Sequence, residues 1–238
     1  MKKLAILKTG STYDHIRAEY GDFEDWFRAG LGTGLAIEVV DVSRQEHPGE
    51  PRDWDGVLVT GSPAMVSQRE PWSEQTAEWL ARAVAASLPV LGVCYGHQLL
   101  AHGLGGRADD RPQGRESGTF EIRLLPEAAD DPLFGQLPDR FLAHLTHRQS
   151  ALSLPTGAVR LAHSEHEPNQ AFRLGPCAWG VQFHPEFTPQ VMTAYLRTQA
   201  DALSAEGQSP EDLLAGVRPS EAAASLLARF GELVKRGV

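Results

Sequence analysis

The chain has 238 residues, 42% of them apolar and 22% charged, with a formal net charge of −9. That length supports one substantial α/β core. The acidic balance argues against a nucleic-acid surface or attraction to anionic lipid, and no apolar run approaches a membrane span.

Residues 4–7 read as a first strand and 10–14 as a loop at its carboxyl end. The spacing of Phe23, Trp26 and Phe27 predicts a helix over 20–31 with one apolar face. Residues 35–42 read as a second strand, and 44–53, polar with two prolines, as a surface loop. A third strand, 55–60, runs straight into Gly61-Ser62-Pro63. Trp79, Leu80 and Val84 mark the inner face of a helix over 72–87, punctuated by Pro71 and Pro89. The run 90–93 is too short for a helix and reads as a buried strand; 98–104 suits a short helix ended by Gly105-Gly106. Strand and helix alternate, which predicts a doubly wound, mostly parallel sheet flanked by helices. Ligands bind such sheets beyond the carboxyl ends of the strands, where Gly10, Gly61 and Cys94 all fall.

After Gly106 the texture changes. Runs at 119–125, 141–146, 158–163, 170–174 and 178–183 read as an antiparallel extension that brings His184 back to Cys94. Residues 109–118 form a polar, glycine-bearing loop able to cover a pocket. A helix over 188–203 starts at Thr188 as N-cap. Beyond a break at 207–210, residues 210–215 and 220–234 read as terminal helices. The expected organisation is a main domain, 1–205, with a helical extension, 206–238, packed on it. That extension reads as a surface helix pair, with a lid or a homodimer contact as the sharper alternatives.

Cys94 sits inside Gly92-x-Cys94-x-Gly96. With serine at the centre, that spacing is the nucleophile elbow, a tight strand-to-helix turn whose small flanking residues let the backbone bend. The helix N-terminus behind such a corner favours a thiolate, and the N–H of Tyr95 would point where an oxyanion forms. Most free cysteines are simply small core residues. The second stretch changes the balance: a strand-like run ends in His184-Pro185-Glu186, which supplies a base and a carboxylate to orient it. Cys177, on the turn before that run, reads as a partly buried thiol. A Cys94–Cys177 disulfide would disable the site, so a reducing cytoplasm is expected; the N-terminus lacks the apolar core of a signal peptide.

Gly-Val-Cys-Tyr-Gly-His-Gln at 92–98 and Val-Gln-Phe-His-Pro-Glu at 181–186 resemble the two signature motifs of class I, triad-type glutamine amidotransferases, most closely the glutaminase domain of GMP synthetases. The likeness runs from about Leu4 to about Leu196. It implies a flavodoxin-like fold and hydrolysis of the glutamine side-chain amide through a cysteinyl thioester, with Cys94, His184 and Glu186 as the catalytic triad and no metal or organic cofactor. Thr60-Gly-Ser-Pro63 resembles the loop that completes the oxyanion hole, which assigns the N–H groups of Ser62 and Tyr95 to that role. Arg115-Glu-Ser-Gly118 resembles a segment lining the glutamine pocket, so Gly61, Gln98, Glu116, Ser117 and Gly118 are the expected substrate contacts. The family usually has a second glycine where this chain has Ser62.

No synthase domain or Walker-type loop follows the match, so three readings stand. The first is an amidotransferase or glutaminase serving a separate synthase subunit. The second is a free-standing γ-glutamyl peptidase or hydrolase with the same triad. The third is a non-catalytic sensor of a glutamine-like ligand, against which the complete triad argues. Of the remaining histidines, His144, His147, His163 and His166 lack the spacing of a closed metal site and read as solvated loop residues. By the resemblance, His147 is a candidate for ammonia handover or substrate gating.

Overall fold

Side chains along β1 (Lys2–Lys8) alternate between two apolar cores: Leu4 and Ile6 join one, Ala5 and Leu7 the other. β3 (Gly56–Val59) and β4 (Val90–Val93) divide the same way, Leu58, Leu91 and Val93 to one side, Val57, Val59 and Val90 to the other. Strands buried on both faces require cover on both faces. The computed structural model, which describes residues 1–237, provides it: a mixed sheet lies between two helical layers.

β2 (Leu35–Asp41), β1, β3, β4 and β11 (Ala178–Val181) lie side by side and run parallel. β10 (Ala171–Leu174), β9 (Val159–His163), β6 (Glu116–Leu124) and β7 (Arg140–His147) continue the sheet antiparallel. A separate ribbon pairs β5 (Arg107–Asp110) with β8 (Gln149–Ser153). One face carries α1 (Asp14–Tyr20), α2 (Phe23–Leu31), α5 (Pro189–Thr198) and α8 (Glu221–Arg236), whose Ile16, Phe27, Val191 and Leu226 share its core. The other carries α3 (Pro71–Ala85) and α4 (Tyr95–Gly103), through Leu80 and Leu99.

The sheet is doubly wound and mostly parallel at its centre, as the alternation predicts, but β11 corrects the expected boundary. It is the fifth parallel strand, with Val181 opposite Val93, and not part of the antiparallel extension. All its residues are buried, as a central strand requires. It also stops at Val181, so His184 lies three residues beyond it, held where its N–H donates to His144 O at 2.8 Å.

Other differences have local causes. Residues 14–20 form α1, a helix separate from the one expected over 20–31; only Ile16 is buried there, so the sequence carries no apolar period. α2 starts at Phe23 because Asp22 and Asp25 form a capping box. The 109–118 stretch is split between β5 and β6, with only 111–115 as loop. Thr188 caps α5, accepting from Val191 N–H at 3.2 Å.

The segment beyond Ala205 is more than a surface pair. α7 (Pro210–Ala215) has no buried residue, but α8 buries Leu226, Leu227, Phe230 and Val234 in the core of the body. Each such side chain contributes about 1.5–3 kcal/mol of transfer free energy. Phe230 packs edge-on to Trp179 of β11 at 6.4 Å. Among the described residues, no helix is long and apolar enough to cross a membrane.

Candidate active site

Cys94 turns the chain from β4 into α4 at φ +51° and ψ −101°. For a residue with a Cβ, that conformation costs on the order of 1–3 kcal/mol and persists only where its surroundings fix it. Here they do. Cys94 N–H donates to Val181 O at 2.8 Å, Gln98 N–H to Cys94 O at 3.1 Å, and Gly96 N–H to Thr60 O at 3.2 Å. The flanking glycines are a steric necessity: a Cβ at Gly96 would stand 2.5 Å from Val59 O, and one at Gly92 would collide with the Gly96 carbonyl.

His184 reaches this corner from the end of β11. Its Nδ1 donates to Glu186 Oε1 at 2.7 Å, and both side chains are buried. Phe187 stacks on the ring at 4.1 Å and 19°, which fixes its plane. Burial alone would push the imidazole pKa down, but the Glu186 carboxylate and the neighbouring Cys94 outweigh it and raise it to about 10. Nε2 has no aligned acceptor among the described residues. Gly61 touches both partners: a Cβ there would lie 3.1 Å from His184 Cε1 and 3.8 Å from Cys94 Cβ. His144, whose carbonyl receives the His184 amide, is held neutral; burial and the His184 charge lower its pKa to about 4.

The loop at 60–64 is tied to the end of β1. Thr9 Oγ1 donates to Gly61 O at 2.9 Å, and Ser62 Oγ donates to Thr9 O at 2.7 Å while accepting from Ala64 N–H at 3.1 Å. The hydroxyl at the position usually held by glycine is therefore a loop anchor. Neither the Ser62 nor the Tyr95 N–H is engaged by a protein acceptor among the described residues. Tyr95 itself is fixed by Trp72, stacked at 5.6 Å, and by a 2.6 Å bond between its hydroxyl and Ser73 Oγ.

A cavity of about 500 Å³ opens over Cys94 and His184, with Ser62, Tyr95, Gln98 and Arg115 in its wall. Gln98 reaches it but spends its amide donors on Gln149 O at 2.7 Å and Gln182 Oε1 at 3.0 Å. Glu116, Ser117 and Gly118 do not line it, which corrects their expected placement as direct contacts. The β6–β7 register sets Glu116 opposite His147 and Ser117 opposite Thr146, and the β7 residues take the wall. Glu116 accepts from His147 Nε2 at 3.0 Å; Ser117 Oγ reaches Thr146 Oγ1 at 3.1 Å and Gln199 Oε1 at 3.2 Å; Gly118 packs against Phe120 and Leu213.

His144 and His147 are buried on β7, not solvated in loops; three residues apart, they lie on opposite faces of the strand, and both faces are covered at this end. His163 is partly buried and His166 exposed. Among the described residues, no group of three or more histidine, cysteine or carboxylate side chains could hold a metal ion. Cys177 is buried and free, its Sγ donating to Ser87 O at 3.2 Å. Three further residues contribute. Phe187 follows the Pro-Glu pair directly, and an aromatic there was a usable signal. Arg115 was visible only as part of a segment. Nothing local marks Thr9, whose partners lie more than fifty residues away.

The family model for class I glutamine amidotransferases matches residues 23–202. The chain is 40% identical over 131 residues to the glutamine-hydrolysing GMP synthase of Thermomicrobium roseum, covering 55% of this chain and 23% of that one. It is 29% identical over 189 residues to the corresponding enzyme of Thermosipho melanesiensis, covering 79% and 33%. The chain thus matches about a quarter to a third of the length of these relatives. Among solved structures, a glutamine amidotransferase from Thermotoga maritima superposes with a TM-score of 0.73 at 25% identity, covering 97% of this chain and 96% of that one. Another from Methylobacillus flagellatus does so with the same score and identity, covering 99% and 94%. With its fold and most of its length matched, the chain belongs to the class I glutamine amidotransferase family.

Proposed function

We propose that the chain hydrolyses the side-chain amide of glutamine through a thioester on Cys94. The observation that carries this reading is the pair of His184 and Glu186, bonded at 2.7 Å beside a cysteine held in an elbow at the floor of a cavity. Cys94 sulfur attacks the carboxamide carbon, and the negative charge collects on the amide oxygen. The N–H groups of Ser62 and Tyr95, free of protein acceptors, suit that oxygen. With a pKa raised to about 10, His184 holds a proton at neutral pH and gives it to the departing nitrogen, which leaves as ammonia. The imidazole then takes a proton from water, whose oxygen attacks the thioester; glutamate leaves and the sulfur is freed beside the reprotonated His184, as at the start. Glu186 fixes the ring so that Nε2 faces the sulfur.

The relatives named glutamine-hydrolysing GMP synthase support a role as the ammonia-producing part of such a system, with a separate synthase subunit as partner. A second reading, a γ-glutamyl peptidase, is favoured by one observation: a 500 Å³ cavity falls in the range that holds drug-sized ligands, and glutamine fills only part of it. One assay decides between them. Purified chain is given glutamine and a γ-glutamyl dipeptide in parallel, with Cys94→Ala as control. Glutamate released chiefly from glutamine supports the first reading, and release chiefly from the dipeptide the second. Turnover that survives Cys94→Ala defeats both.

A further inference from the structure

The peptide that joins Gly61 to Ser62 is held on both sides by hydroxyl groups. Thr9 Oγ1 and Thr60 Oγ1 each lie 2.9 Å from Gly61 O, and both threonines are buried. A hydroxyl has one proton to give. The other carbonyl near Thr9 Oγ1, Thr60 O at 3.1 Å, already receives the N–H of Gly96 at 3.2 Å. Thr60 Oγ1 accepts the N–H of Thr9 at 3.1 Å and lies 3.0 Å from Thr9 Oγ1, so the two hydroxyls form one buried pair with Gly61 O as its outlet. A peptide unit is planar and trans, so its C=O and N–H point in opposite directions. Holding Gly61 O on the threonines therefore turns the N–H of Ser62 away from them. Ser62 and Cys94 line the same cavity, and this N–H meets no protein acceptor among the described residues. The Ser62 side is held by its own Oγ, through Thr9 O at 2.7 Å and Ala64 N–H at 3.1 Å; glycine at this position would make neither bond. Gly10 leaves room for that hydroxyl, since a Cβ there would stand 2.8 Å from Ser62 Oγ. The other hydroxyl pair near the cavity differs in kind. Ser117 Oγ and Thr146 Oγ1 meet at the side-chain Oε1 of Gln199, at the head of α6 (Ala200–Ala205), 3.2 and 3.1 Å away, and orient no main-chain donor.

We propose that Thr9, Thr60 and Ser62 are positioning residues that lock the Gly61–Ser62 peptide at rest with its N–H presented to the reacting carbonyl, so that this chain hydrolyses its amide substrate with no partner needed to switch it on. Reversing the peptide would break the bonds to Gly61 O and put a carbonyl oxygen where the developing negative charge needs a donor. The inference rests on the glutaminase reading above and adds its regulation: ammonia formation is set by the chain itself, not by the loading of a synthase.

The test gives the purified chain, alone, glutamine and a γ-glutamyl dipeptide, and in parallel measures alkylation of Cys94 by iodoacetamide, which displaces iodide and builds no oxyanion. Wild-type protein is expected to turn over its better substrate at about 1 per second or faster, an ordinary enzymic rate. Thr9→Val keeps the shape and removes the hydroxyl; it should lower kcat about tenfold or more with KM within about twofold. Its alkylation rate should match the wild type, and Thr9→Ser should restore most of kcat. Ser62→Gly should lower kcat about three- to tenfold. A merely structural threonine would slow turnover and alkylation together, and that result overturns the proposal, as does a Thr9→Val protein as active as the wild type. A wild-type chain idle on both substrates though alkylated at Cys94 also overturns it, and leaves the glutaminase reading standing with a partner as its switch. Turnover that survives Cys94→Ala defeats that reading, and the proposal with it. One measurement needs no variant: in NMR relaxation dispersion of the wild-type protein, the amides of Gly61 and Ser62 should show no microsecond-to-millisecond exchange. Exchange confined to that peptide would show that it flips, which sinks the lock.

Discussion

The two walls of the cavity are built differently. The wall at β3 and β4 is made by backbone: a left-handed cysteine, glycines that admit no Cβ, and a loop tied by hydroxyls to the next strand. The wall at β6, β7 and the C-terminal segment is made by side chains meeting across long stretches of sequence, as in Ser117–Gln199 and Arg115–Glu206. On the proposed function, the first wall holds the reacting groups, which tolerate little displacement, and the second faces the rest of the substrate, where side chains can be exchanged without moving the backbone. On that reading chemistry rests on constrained main chain, and selectivity on replaceable contacts.

The largest expected effects lie in the first wall. Cys94→Ala and His184→Ala should each lose about three or more decades of turnover. A glutamine-like electrophile such as diazo-oxo-norleucine should label the wild-type chain once, at Cys94. Cys177 should stay unlabelled, since burial raises its pKa and its thiol lies in the core. Mass mapping of the adduct checks this, and labelling at Cys177 in preference to Cys94 would break the assignment.

Gly61→Ala sharpens the claim that backbone space, not side-chain chemistry, sets this wall. The added methyl would press on His184 Cε1 at 3.1 Å with no polar group lost. Turnover should fall about ten- to hundredfold while the thermal midpoint moves by only a few degrees. Equal turnover in the two proteins would mean that the imidazole has room to spare.

Glu186→Gln tests the electrostatic side. The carboxylate is one of the groups that raise the His184 pKa to about 10, so its removal should let the imidazolium deprotonate at lower pH. The alkaline limb of the turnover profile should move to lower pH, and kcat should fall by less than in His184→Ala. An unmoved limb would mean that Cys94 alone holds the charge on His184.

The difference between the walls also decides what the sequence could show. The elbow was legible because Gly92-x-Cys94-x-Gly96 writes its sterics within five residues, and the base because Pro185 and Glu186 stand next to His184. The parallel half was legible through strand–helix alternation. The placement of β11 was not: four residues buried on both sides look alike in a parallel or an antiparallel setting. Glu116, Ser117 and Gly118 were expected at the pocket because their segment is there. Only the register with β7 shows that Arg115 and the β7 residues stand in front of them.

The smallest expected effect concerns stability in acid, and it tests whether the cover behind the reacting wall depends on histidines kept neutral. His97 on α4 is fully buried against Phe172, 5.0 Å between ring centres; burial lowers its pKa to about 3. His144 is lowered to about 4. In the unfolded chain both would titrate near 6.5. Between pH 6.5 and pH 4 the unfolded state therefore binds more protons than the folded one, and stability falls as the pH drops through that window. Glu116, whose pKa is lowered by its bond to His147 and the nearby Arg111 charge despite the opposing effect of burial, adds to the loss further down. Urea midpoints measured from pH 7 to pH 4 should decline, and His97→Gln should flatten part of the decline even if it costs stability at pH 7. A variant that declines as steeply as the wild type would show that the acid sensitivity arises in His144 and the carboxylates of the second wall instead of His97.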